Sequence, residues 1–129
     1  MPPRLDLIEI IVQDMATALA FYRRLGFDIP LEADSEGHVE ATAGGLRVAW
    51  DTVEVVQSFD PDWKAPVGGQ RLGLAFLCDS PAEVDQIHDE LVDAGYQAHK
   101  EPWDAFWGQR YAVMRDPDGN PVDLFAPLS

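Results

Sequence analysis

The 129-residue sequence predicts an α+β fold in which two βαβββ modules form a curved mixed sheet. Three observations carry that expectation. A strand-like run followed by an amphipathic helix occurs twice. Both helices stop in the same way, at Leu25-Gly26-Phe27-Asp28 and at Ala94-Gly95-Tyr96-Gln97. Each stop is then followed by three further strand candidates. The chain is thus expected to be a single domain, 1–129, with module one near 4–56, a linker at 57–70 and module two near 71–127. One sheet carrying one helix leaves its other face uncovered. Pairing two such modules closes the sheet around a cavity, and a homodimer, with modules kept or swapped between chains, completes it.

In module one, Leu5 to Val12 is rich in β-branched residues and reads as a strand. Asp14 stands at an N-cap ahead of a helix from Met15 to Leu25, and Gly26 supplies the left-handed stop. Phe27 to Leu31, His38 to Ala43 and Leu46 to Asp51 follow as strands. The Pro, Gly and Asp content of Ser58 to Gly69 marks a connecting loop. In module two, Leu72 to Cys78 is a short strand, and Ser80-Pro-Ala-Glu83 is a capping box with proline at the first helical position. Val84, Ile87, Leu91 and Ala94 recur at helical spacing until Gly95. Gln97 to Glu101, Arg110 to Arg115 and Val122 to Phe125 complete the strands.

Composition narrows the function classes. With 23 acidic against 9 basic residues, the formal charge is −14, which opposes nucleic acid and anionic membrane as partners and favours cationic or electron-poor small molecules. No apolar run approaches the roughly 20 residues that span a bilayer. Cys78 stands alone, so no internal disulfide forms, and Met1-Pro-Pro-Arg4 does not read as a secretory leader; a cytoplasmic setting is the expectation. Gly44-Gly45 and Gly68-Gly69 lack phosphate-loop spacing, and Asp116-Pro-Asp-Gly-Asn120 is explained by turn chemistry without a metal. The densest feature is PWDAFWGQRY at 102–111, where Trp103, Phe106 and Trp107 serve either as core for the strand that follows or as a platform for a flat ligand.

Phe21-Tyr22 before Leu25-Gly26-Phe27, together with Asp116-Pro-Asp-Gly-Asn120 before Val-Asp-Leu-Phe125, resembles the vicinal oxygen chelate superfamily. That superfamily includes glyoxalase I, extradiol dioxygenases, and fosfomycin and bleomycin resistance proteins. Within it, Asp28 to Ser35, Gly45 to Glu54 and the block Pro102 to Pro127 resemble the mitomycin-binding resistance proteins. The resemblance implies a metal-free, homodimeric protein that sequesters a drug between aromatic residues at the dimer interface. Metal-dependent members place His, Gln or Glu at four inward positions, which register puts near Leu7, Ala49, Gly73 and Asp123. Three of these carry no donor, and a divalent ion needs several. No cofactor is therefore expected, and His38, His88 and His99 lack ligand-pair spacing.

If those four positions face inward, strand alternation brings Glu9, Arg47, Asp51, Ala75 and Phe125 with them, while Val48, Trp50, Leu74, Phe76, Val122 and Leu124 face the helices. A flat ligand would stack on Trp107, with Phe106 or Trp103 beside it. Arg47 and Arg110 would donate to carbonyl oxygens, unless they are spent in internal ion pairs; Glu40, Asp51 and Asp123 would accept from amines or hydroxyls. His38 joins Glu40 only if their strand turns that face inward. The leading expectation is a non-enzymatic protein that captures an aromatic or quinone-like antibiotic. The alternatives are a lyase, isomerase or dioxygenase-like enzyme of the same fold, including a metal-free one with Glu9, Asp51 or Asp123 as base, and a dimeric domain without a small ligand.

Overall fold

The structure is a computed structural model and describes residues 2–129. The chain forms two compact units with the boundary between Ala65 and Pro66.

In the first unit, strand β1 (Leu7–Val12) leads into helix α1 (Met15–Arg23), a short 3-10 helix spans Leu31–Ser35, and β2 (His38–Ala43), β3 (Leu46–Thr52) and α2 (Val53–Phe59) follow. Asp14 caps α1 by accepting from the Thr17 amide at 2.9 Å and from its hydroxyl at 2.6 Å. Past the last turn Gly26 takes φ +101, a conformation that costs little only without a Cβ. The sheet order is β1-β3-β2, with β1 parallel and β2 antiparallel to β3. One sheet face carries Ile10, Val12, Val39, Val48 and Trp50, all buried. Trp50 is fully buried, its ring 5.4 Å from Tyr22 and 5.1 Å edge-on from Phe27, so it packs the core as alternation requires.

Two expectations for this unit fail, each for a local reason. Phe27 to Leu31 is not a strand. The Arg23 guanidinium donates to the carbonyls of Ile29 at 2.8 Å and Pro30 at 2.9 Å, occupying the acceptors a ladder would use, and Pro30 has no amide to give. Phe27 and Ile29 still bury their side chains. The unit therefore has three strands rather than four. Beyond residue 56 the chain continues as α2, capped by Thr52 accepting from the Val55 amide at 3.2 Å. Three valines in seven residues concealed that helix.

The second unit has the full βαβββ order: β4 (Leu74–Leu77), α3 (Pro81–Asp93), β5 (Ala98–Ala105), β6 (Gln109–Arg115) and β7 (Pro121–Pro127). Its sheet runs β4-β7-β6-β5, with β4 parallel to β7 and the other pairs antiparallel. Ser80 caps α3 by accepting from the Glu83 amide at 3.1 Å, while Glu83 accepts from the Asp79 amide at 2.8 Å. Val84 and Leu91 of α3 are buried, as are Ala112, Met114, Val122, Leu124 and Ala126 of the sheet. Strand β5 runs through Pro102 to Ala105, four residues beyond the expected end at Glu101; register shifts between Ala98, Lys100 and Trp103 let a residue without an amide sit in an edge strand. Between β6 and β7, Asp116 accepts from the amides of Asp118 (2.9 Å) and Asn120 (2.8 Å) and from the Asn120 side chain (2.8 Å), so that turn is closed by its own residues.

Candidate functional site

Each unit carries polar or aromatic groups on the sheet face away from its buried core residues. In the first unit, β3 sets the register: Glu9 lies opposite Ala49, Leu7 opposite Arg47, His38 opposite Asp51, and Glu40 opposite Ala49. Glu9, His38, Glu40, Arg47, Ala49 and Asp51 therefore share one face. This settles the orientation of β2, which the sequence left open for His38 and Glu40. The His38 ring is held at both nitrogens, Nδ1 against Asp51 Oδ1 at 2.5 Å and Nε2 against Glu40 Oε2 at 2.8 Å. Arg47 donates to Glu40 and to Asp6. Arg47 is thus spent in ion pairs, as one reading of it anticipated. Glu40, and then Asp51, raise the His38 pKa by hydrogen bonding to the imidazolium. The hydrogen bond from Glu9 to Asp51, with partial burial and the Asp51 charge behind it, pushes the Glu9 carboxyl up to about 7.

In the second unit, Tyr111 and Phe125 are cross-strand partners, as are Val113 and Asp123, and Ala75 and Asp123. The Tyr111 hydroxyl donates to Asp123, and burial, with that hydrogen bond, pushes its pKa up to about 12. Tyr111 also stacks on Phe125 with centroids 6.2 Å apart. Trp103, opposite Tyr111, meets it at 5.5 Å, and Trp107 meets Trp103 at 6.0 Å, Tyr111 at 5.3 Å and Phe106 at 5.0 Å, all edge to face. The Trp107 indole donates to Gln109 at 2.8 Å, and Gly108, at φ +88, turns the chain at this tip. Trp107 is 48% exposed and Phe106 is 96% exposed. Within 102–111, Trp103 and Tyr111 are half-buried, whereas Trp107 and Phe106 present ring surface outward.

Arg110 does not join this face. One residue from Tyr111 in β6, it points to the opposite side of the sheet, donating to Asp85 of α3 at 2.9 and 3.1 Å and to Asp104 at 3.1 Å. Its place as a carbonyl donor is therefore withdrawn in favour of the internal ion pair. At Gly73 a Cβ would lie 2.9 Å from both the ring and the carbonyl of Pro121, so close chain packing demands glycine. Ala49, flanked across the sheet by Glu9 and Glu40, is fully buried.

The donor set does not suit a divalent metal. Leu7, Ala49 and Gly73 bring no ligand atoms, Asp123 is engaged by Tyr111, and among the described residues no three His, Cys, Asp or Glu are grouped to hold an ion. Cys78 is buried in the second unit, and that burial raises its thiol pKa, which disfavours the nucleophilic thiolate. His88 is buried on α3 beside Asp89, and His99 lies by Arg115 at 3.3 Å. Among the described residues no helix is long and apolar enough to cross a membrane.

Comparison with known proteins follows the same lines. Residues 4–124 match the family described as Glyoxalase/Bleomycin resistance protein/Dioxygenase superfamily. Uncharacterized protein YraH of Bacillus subtilis (strain 168) is 24% identical over 123 residues, covering 94% of this chain and 96% of that one. A crystal structure of a glyoxalase/bleomycin resistance protein/dioxygenase family enzyme from Burkholderia phytofirmans PsJN superposes with TM-score 0.82 at 21% identity, over 95% of this chain and 98% of that one. A lactoylglutathione lyase from Agrobacterium tumefaciens gives TM-score 0.69 at 20% identity, over 98% and 95%. At these identities the structural likeness speaks for the fold alone.

Proposed function

The chain belongs to the glyoxalase/bleomycin resistance protein/dioxygenase superfamily, and we propose that within it this protein is a metal-free, homodimeric binder of an aromatic or quinone-like antibiotic of the mitomycin or bleomycin type. The observation that carries this reading is the ring cluster of the β5–β6 tip. Trp107 is braced on three sides by Trp103, Phe106 and Tyr111, yet nearly half its surface stays open. An indole fixed in this way loses little side-chain entropy when a flat molecule stacks on it. The Asp123 carboxylate, held in place by Tyr111 at the base of the cluster, accepts from an amine or hydroxyl of the ligand. On the first unit, His38, Glu40 and Asp51 form a polar group of their own, where Arg47 is held in ion pairs with Glu40 and Asp6. Capture is stoichiometric, with one ligand per chain at the subunit interface, in a cytoplasmic setting.

The test is a titration with mitomycin C, following tryptophan fluorescence, beside an ultracentrifugation measurement of the oligomeric state. The expected result is saturable quenching at one equivalent per chain in a dimer, with ligand recovered unchanged. Trp107→Ala is expected to weaken binding about tenfold, since an aromatic stack is worth about 0.5–1.5 kcal/mol beyond its area burial. Absence of quenching at micromolar ligand, or full affinity in Trp107→Ala, defeats this reading. Turnover of the ligand would move the protein to the lyase, isomerase or dioxygenase-like alternative.

A further inference from the structure

The open sheet face of the second unit carries a cation where plain strand alternation would not put one. In a regular strand, residues 100 and 103 fall on opposite faces. In β5 the register shifts between them: Lys100 pairs with Val113 and Trp103 with Tyr111, so four residues of β5 oppose three of β6. Val113 and Tyr111 share a face of β6, and the extra residue brings Lys100 and Trp103 onto that face together. The side chains agree, because the Lys100 ammonium lies 4.7 Å over the Trp103 ring. The same row continues to Asp123, the β7 partner of Val113. An ammonium and a carboxylate therefore flank β6, two strand spacings or about 10 Å apart at the backbone. Both lean toward the aromatic row, the ammonium over Trp103 and the carboxylate against the Tyr111 hydroxyl.

We propose that Lys100 is the anion-recognising residue of the aromatic tip, and that the ligand it selects is a flat aromatic acid. The acid's ionised oxygen pairs with the ammonium, while a hydroxyl or amine at the far end of the ring system reaches Asp123. The proposal rests on the reading of Trp107 as a stacking surface, and adds to it the charge of the ligand and the order of its polar groups.

Lys100 differs from the other cations considered for this role. Arg47 is occupied by Glu40 and Asp6, and Arg110 by Asp85 and Asp104 on the far side of the sheet. Arg115, two residues from Val113, turns its guanidinium to the Gly119 carbonyl at 3.1 Å and to His99 at 3.3 Å. Among the described residues no carboxylate pairs with Lys100, in a chain that carries 23 acidic residues. An indole face positions an ammonium without neutralising it, so its N–H donors stay available to an anionic oxygen. A hydrogen bond between two ionised groups is roughly twice as strong as one between neutral groups. The net charge of −14 opposes an anion at range, but salt screens it beyond about 8–10 Å, whereas the ammonium acts at contact. Position also fixes orientation. Reversing the ligand sets its acid beside Asp123, and like charges at that end reject it.

The test uses the full chain and two probes of one shape, 6-hydroxy-2-naphthoate and its neutral carboxamide, with dissociation constants measured by calorimetry at neutral pH. The native protein is expected to bind the acid about tenfold more tightly than the amide. Lys100→Met keeps an apolar chain over Trp103 without the charge, and is expected to lower affinity for the acid to about that of the amide. Lys100→Arg should retain the preference. Lys64→Met makes the same change in net charge at an exposed site in the first unit and should also retain it. Equal affinity for acid and amide, an undiminished preference in Lys100→Met, or no binding of either probe would each overturn the proposal. The stacking reading is tested separately by Trp107→Ala, which should weaken both probes alike. A preference lost in Lys100→Met but unchanged affinities in Trp107→Ala would retain Lys100 as the anion site and remove Trp107 as the platform.

Discussion

Replacing Glu9 by glutamine tests the electrostatics of the first unit without reference to any ligand. In the unfolded chain Glu9 titrates at the free-glutamate value of 4.5, and in the native state its pKa is pushed up to about 7, chiefly by the hydrogen bond to Asp51. At about 1.4 kcal/mol per pH unit the full difference is worth about 3 kcal/mol, and water around an exposed carboxyl screens this to about 1–2 kcal/mol. The native state binds this proton more tightly than the unfolded state does. Its contribution to stability is therefore complete below about 4.5, declines as pH rises, and is gone above about 7. Glutamine keeps the shape and hydrogen-bonding reach and carries no titrating proton. Urea unfolding of both proteins at pH 5 and pH 8, followed by far-UV circular dichroism, measures the effect. The variant should gain about 1–2 kcal/mol relative to wild type between the two pH values. The His38 pKa is also raised, so its contribution is present at low pH and lost as pH rises through its folded value, but it is common to both proteins. An equal difference at both pH values, or one of opposite sign, would refute the upward shift at Glu9.

Three further substitutions probe other parts of the molecule. Trp50→Ala removes the largest fully buried side chain and should cost about 3–5 kcal/mol in chemical denaturation, far more than Trp107→Ala. Asp116→Ala leaves the Asp118 and Asn120 amides without their acceptor and should cost about 1–3 kcal/mol, lowering the thermal midpoint. Arg110→Ala breaks the two-pronged contact with Asp85 and should lower stability by about 1 kcal/mol while leaving mitomycin C affinity at the wild-type value; a loss of affinity would return Arg110 to the ligand site.

The elements governed by local chemistry were legible in the sequence. Asp14 and Ser80 cap the helices they were expected to cap, and Gly26 and Gly95 end them at φ +101 and +96. Alternation placed Trp50, Val48 and Leu124 in the cores and Glu9, Arg47 and Asp51 on the opposite face. Where expectation and structure part, a distant or opposing contact decides. Arg23 claims the Ile29 and Pro30 carbonyls, and bulges carry β5 through Pro102 beside β6. In β6 the same alternation that placed Tyr111 on one face already put Arg110 on the other, a signal available in the sequence.

By itself, then, the sequence determined the repeated strand–helix plan, the caps of α1 and α3 and which alternate residues share a face, because caps, left-handed glycines and a period of two are properties of neighbouring residues. Only the tertiary structure decided which groups on a shared face meet. Strand register sets Asp51 opposite His38, brings Glu9 to Asp51 across β1 and β3, and joins Tyr111 to Asp123, while α3 takes Arg110 through Asp85. Those pairings are separated by 12 to 42 residues along the chain, and no local preference encodes them. They follow from the alignment of whole strands and helices by the burial of their apolar faces, which fixes the polar faces as a consequence.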